Sequence, residues 1–138
     1  MFRHVLIPID LSHDSSWQRA LPVAADQAKH YGAKLTLLTV LPNVRPVDPE
    51  RHTEEDAKKK LKVLVAQHVG KDSEVDIRVE HHDTPHRYIR YLVSQEGIDL
   101  VVMNSHHPEL SDYILGSNAT QVVHHADCSV FVVRSEAE

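Results

Sequence analysis

Apolar runs and helical stripes take turns along the chain. His4 to Ile9 (HVLIPI) is unbroken and rich in branched residues, the pattern of a strand covered on both faces. Pro8 near its end fits only where no ladder donor is needed, and Asp10 falls at its carboxyl end. Ser12 or Asp14 can cap the helix that follows. In that helix Trp17, Leu21, Ala24, Ala28 and Tyr31 recur at alternating spacings of four and three, a core-facing stripe. Pro22 inside the stripe should kink the helix or mark a wide first turn. Gly32 suits its C-terminal cap. Lys34 to Leu41 predicts the second strand, and the proline-rich stretch from Pro42 to Pro49 a loop.

A second helix is predicted from Glu50 to Val69. Ala57, Leu61, Leu64, Val65 and His68 form its apolar face. Glu54, Glu55 and Asp56 each precede a lysine by four residues, the favourable order for pairs on a solvated face. Glu74 to His81 alternates strictly, with Val75, Ile77 and Val79 on one face, as a half-exposed edge strand does. Pro85 is placed to start a third helix and Gly97 to end it, with Tyr88, Ile89, Leu92 and Val93 as its stripe. Ile98 to Met103 predicts a fourth strand and Ser129 to Val133 a fifth. A polar loop from Asn104 to about Asp112 lies between them, then a short helix opened by Gly116-Ser117-Asn118. Ala119, Val122, Val123 and Ala126 of that helix are expected to face inward.

Strand and helix alternating in this way predict an α/β domain: an open, parallel, five-stranded Rossmann-like sheet of order 3-2-1-4-5 with helices on both faces. Right-handed crossovers set the first and fourth strands side by side at a switch point. Ligands of such sheets bind beyond the carboxyl strand ends at that switch, where Asp10, Val40 and Met103-Asn104 lie. With 138 residues, one domain spanning 1–138 is expected.

Composition narrows the chemistry. A net charge of −5 and the lack of a basic run argue against a nucleic-acid surface. No apolar stretch approaches the ~20 residues of a membrane span, and no signal-peptide pattern opens the chain, so a cytoplasmic setting is expected. Cys128, the only cysteine, excludes a disulfide framework and reads as an inert core thiol. Twelve histidines include the pairs His81-His82, His106-His107 and His124-His125. Neighbours on a strand point to opposite faces, and helical ligands need a spacing of three or four, so no histidine metal site is expected.

The strand, polar loop and Gly116-Ser117 helix start together describe an anion site. The first N–H groups of a helix lack internal partners and carry the positive end of its dipole. Gly116 permits close approach of a phosphate, and Ser117 adds a hydroxyl donor. Neither a Gly-x-x-x-x-Gly-Lys-Ser/Thr loop nor a Gly-x-Ser-x-Gly elbow is present, so hydrolysis is expected to be slow at best.

Pro8-Ile9-Asp10, Asp99-Leu-Val-Val-Met, Ser105-His106, Leu115-Gly116-Ser117 and the run from His125 to Arg134 together resemble the universal stress protein family over the whole chain. ATP-binding members carry Gly-x-x-Gly, a spacer, then Gly-Ser or Gly-Thr. Here Asn104-Ser105-His106-His107, eight residues and Gly116-Ser117 occupy that place, without the two early glycines. The Ser-His-x-Pro form is similar to the small bacterial F/G-type branch. The resemblance implies ATP, with Mg²⁺ bridging its phosphates. Adenine would lie near Asp10 and the backbone of Val40, with Pro8 and Ile9 adjoining. Ribose and phosphates would meet Met103, Asn104, Ser105, His106, His107, Gly116, Ser117 and Asn118, while Ser129 and Val130 line the pocket.

Val130, Phe131, Val132 and Val133 place an apolar strand at an edge of the predicted sheet, an aggregation hazard that pairing with a second copy removes. The resembled family dimerises in this way; higher oligomers stay open. The leading expectation is a regulatory, stress-response ATP holder. Its occupancy would shape the loops at 42–52 and 104–115 for a protein partner, with transporters and signalling proteins as candidates. The alternatives are a slow ATPase or nucleotide-transferring enzyme, and a dimeric interaction module with no bound nucleotide.

Overall fold

The computed structural model describes residues 1–43, 54–71, 73–105 and 117–134. Five parallel strands form one sheet in the order β3-β2-β1-β4-β5, as the alternation predicts. They are β1 (His4–Pro8), β2 (Lys34–Leu41), β3 (Val75–His81), β4 (Leu100–Asn104) and β5 (Ser129–Val133). The helices are α1 (Ala20–Tyr31), α2 (Glu54–His68), α3 (Pro85–Glu96) and α4 (Ser117–His125).

Alternate residues of the central strands feed two separate cores. Val5, Ile7, Leu35, Leu37, Leu100 and Val102 pack with Leu21, Ala24 and Ala28 of α1 and with Ala57, Leu61 and Leu64 of α2. Leu6, Leu38, Val101 and Met103 pack on the opposite face with Ile89, Leu92 and Val93 of α3 and Ala119 and Val122 of α4. The strand side-chain period of two is therefore satisfied by apolar residues on both sides, which is why these runs do not alternate with polar ones.

Three local readings change. The first helix begins only at Ala20, after a 3-10 turn at Asp14–Ser16. Pro22 is thus the third helical residue, where the missing N–H has no intrahelical acceptor to lose, and no kink is needed. Trp17 falls in the preceding turn and packs its ring 5.4 Å from that of His68 on α2. Val123 faces out rather than in, 42% exposed, because Ala119 and Val122 already fill the narrow contact of this short helix. Gly32 and Gly97 end α1 and α3 in left-handed conformation, at φ 63° and 65°. Residues 50–53 of the predicted second helix and the loops at 44–52 and 106–115 lie outside the described residues.

β1 lies between β2 and β4, with Val5 opposite Leu35 and Leu100. Asp99, just before β4, fixes this junction. Its carboxylate accepts the backbone N–H of Arg3 at 2.9 Å and that of His4 at 3.0 Å. Replacing Asp99 by Ala removes a charged acceptor for two amides and is expected to cost about 1–3 kcal/mol. A urea midpoint within error of wild type would contradict this role.

Candidate functional site

The switch point opens at the carboxyl edge between β1 and β4. Leu6 pairs with Val101, so two residues further along each strand stand Pro8 and Met103. Val40 lies two residues beyond Leu38, the partner of Pro8. By strand alternation Pro8, Val40 and Met103 share the α3–α4 face of the sheet, and Val40 and Met103 pack with that core. Pro8 and Val40 are half-buried and Met103 is buried, which makes an apolar shelf at the rim. Ile9 points the other way into the α1–α2 core. Its backbone is clamped: its N–H donates to the Leu38 carbonyl, and its own carbonyl accepts the Thr39 hydroxyl at 2.7 Å.

Asp10 is exposed at the end of β1 and is held by the turn that follows it. One carboxylate oxygen accepts the Ser12 N–H at 2.9 Å, the closure of an Asx turn. The other lies 3.0 Å from Nδ1 of His13. The Ser16 side chain completes the loop, its oxygen 3.0 Å from the Asp10 N–H and its hydroxyl donating to the Asp10 carbonyl. Asp10 therefore shapes its own turn, and neither Ser12 nor Asp14 caps α1, which starts after Arg19 with no side-chain cap. His13 and Ser16 were missed by reading the sequence for helix caps. The signal was the Asp-x-Ser spacing, which marks an Asx turn as readily as a cap.

Asn104 is half-buried at the end of β4, and Ser105 is fully buried, its N–H donating to the Val133 carbonyl at 2.9 Å. Ser117 and Asn118 are exposed in the first turn of α4, where helix N–H groups lack internal acceptors. The edge thus brings together an apolar shelf, a polar strand end and a helix start. That set suits a flat apolar group joined to an anion. His106, His107 and Gly116 lie outside the described residues.

Ser129 and Val130 do not join this group. They pair with Leu100 and Val101 at the beginning of β4, whereas Val133 is the residue opposite Asn104. A parallel strand advances about 3.3 Å per residue, so Ser129 stands roughly 13 Å from the carboxyl edge. The short apolar run gave the strand, but only the register shows which end of it meets the site.

The His81-His82 pair separates as strand geometry requires, and His106-His107 lies outside the described residues. His81 Nε2 lies 3.8 Å from Glu54, while His82 Nδ1 accepts the Thr84 N–H at the start of α3. Among the described residues no group of three His, Cys, Asp or Glu side chains is arranged to hold a metal ion. No helix among them is long and apolar enough to cross a membrane.

A profile of the universal stress protein family matches residues 1–134. A universal stress protein of Staphylococcus haemolyticus is 30% identical over 145 residues, covering 98% of this chain and 86% of its own length. Universal stress protein G of Shigella flexneri is 27% identical over 144 residues, covering 97% and 100%. Among solved structures, universal stress protein UspA from Lactobacillus plantarum has a TM-score of 0.73 at 25% identity, covering 96% of this chain and 98% of that one. The universal stress protein from Archaeoglobus fulgidus in complex with dAMP superposes at a TM-score of 0.70 and 21% identity, covering 97% and 98%. A family protein from Arabidopsis thaliana with AMP bound does so at 0.67 and 16%, covering 98% and 93%. At the last two identities the likeness is one of fold.

Cys128 precedes β5 and is half-buried against the α3–α4 core. Burial, with help from the nearby Asp99 and Asp127 carboxylates, pushes its thiol up to about 11. Little thiolate forms near neutrality, so alkylation by iodoacetamide at pH 8 should run roughly 100-fold slower than for an exposed cysteine peptide. A rate matching the peptide would contradict the burial.

Proposed function

The chain belongs to the universal stress protein family, and from that premise we propose that it holds an adenine nucleotide whose presence is read by a protein partner. One observation carries the reading. The apolar shelf of Pro8, Val40 and Met103 meets the polar end of β4 at the same sheet edge from which α4 starts. A base can lie on the shelf while phosphates reach the amides at the start of α4 and the Ser117 hydroxyl. Relatives of the same fold with dAMP and AMP bound support the choice of an adenine nucleotide. We take the nucleotide to be ATP with Mg²⁺, since Asn104 to His107 and Gly116-Ser117 occupy the positions of a phosphate loop. In this reading Asn104, Ser105, Ser117 and Asn118 face the ribose and phosphates, and His106, His107 and Gly116 complete the loop. Mg²⁺ would offset charge between the phosphates. With no phosphate-loop lysine in the sequence, the reading is of holding rather than turnover.

The same reading includes a homodimer through β5. Phe131 is 42% exposed at the open edge of the sheet, beside the half-buried Val130 and Val132. Pairing that edge with its own copy covers the strand's outward N–H and C=O groups.

Mass analysis of the freshly purified protein, followed by calorimetry with ATP, tests the first claim. Ser117→Val should weaken ATP binding about tenfold, the loss of one charge-assisted hydrogen bond, with an unchanged circular dichroism spectrum. The absence of both co-purified and titrated nucleotide would sink the reading. Phe131→Lys places a charge on the bare edge and should yield a monomer by sedimentation. A wild-type monomer at the same concentration would remove the dimer.

A further inference from the structure

The molecule carries more acid than base, 20 Asp and Glu against 15 Lys and Arg. That excess is not evenly spread. α3 and α4 together hold Arg87, Arg90, His86, His124 and His125, and their one carboxylate, Glu96, is bound to Arg78 of β3. The flanking acids lie off the helices: Asp83, before α3, accepts the Asn43 N–H, and Asp127 follows α4. α2, by comparison, balances its lysines internally, with Glu54 to Lys58 at 3.2 Å and Asp56 to Lys60 at 3.8 Å. Among the described residues no carboxylate pairs with Arg87 or Arg90, both exposed.

Apolar surface lies within this positive field. Tyr91, one turn on from Arg87, is 57% exposed. His86 begins the row that continues to Arg90, and its Nδ1 is buried without a hydrogen-bond partner. Desolvation, then the neighbouring Arg87, Arg90 and His125, push the imidazole toward its neutral form. Ile89, Leu92 and Val93 face the core, so Arg87, Arg90 and Tyr91 share the outer side of α3.

We propose that the outer face of α3 docks an acidic segment of a partner protein, whose carboxylates pair with Arg87 and Arg90 and whose apolar side chains cover Tyr91. Two guanidinium forks with no carboxylate partner among the described residues match carboxylates in geometry and sign. The exposed Tyr91 ring adds area that a small anion does not use. A nucleic acid needs a longer basic run than this face supplies. A carboxylate at the rim also compensates the cations that surround His86. The inference gives chemical identity to the partner in the reading above.

Fluorescence anisotropy of a fluorescein-labelled peptide of repeated Glu-Glu-Leu units, with the full chain, tests it. The peptide should bind, and salt should weaken binding by screening. Arg87→Glu combined with Arg90→Glu should reduce affinity at least about tenfold. The milder pair Arg87→Gln and Arg90→Gln should reduce it less, and Tyr91→Ser should weaken it separately. A Gln-Gln-Leu peptide should not bind. No binding by wild type, equal binding by the charge-reversed variant, or tighter binding of oligothymidylate or inorganic polyphosphate would each overturn the proposal. A protein that binds the peptide but no nucleotide fails only the earlier reading. One that holds nucleotide yet ignores the peptide fails only this one.

Discussion

Hiding Val5, Leu6 and Ile7 from water on both sides of the sheet at once is the constraint on which the rest depends. All three are fully buried, and each such side chain contributes about 1.5–3 kcal/mol when removed from solvent. A strand of this kind must have strands at both edges and helices on both faces. With all strands parallel, the chain builds outward on one side, through β2 and β3, and then crosses to the other for β4 and β5. The reversal leaves a gap at the carboxyl ends of β1 and β4, the place where ligands of open α/β sheets bind.

Much of this was legible in the sequence because it rests on periodicity. Apolar runs gave four strands and strict alternation the third, stripes at three and four gave the helices, and Gly32 and Gly97 mark helix ends that the left-handed backbone fixes. What stayed hidden depends on long-range placement. The position of Ser129 and Val130 at the far edge follows from the register with β4, which no local pattern encodes. The outward turn of Val123 follows from how little of α4 the neighbouring α3 covers. Pro22 looked disruptive only because the helix was expected to begin before it.

The candidate site was readable to a similar degree. Strand ends and the Ser117 helix start could be placed by topology, and the shelf of Pro8, Val40 and Met103 follows once the strands are aligned. The turn at Asp10 could not. Its carboxylate is committed to Ser12 and His13, so the rim there is stiffened by bonds within seven consecutive residues, from Asp10 to Ser16. A rim ordered before any ligand arrives loses less freedom on binding.

The two borders of the sheet differ in kind. β3 bears Asp76 near Lys34 and Arg78 between Glu80 and Glu96, a row of charges that repels another strand's advance. β5 bears Val130, Phe131 and Val132. A molecule with a single sticky margin has no second margin left for a third copy once two have met. Were two copies to pair there, as proposed, growth would end at a closed pair and would not run on into a fibre.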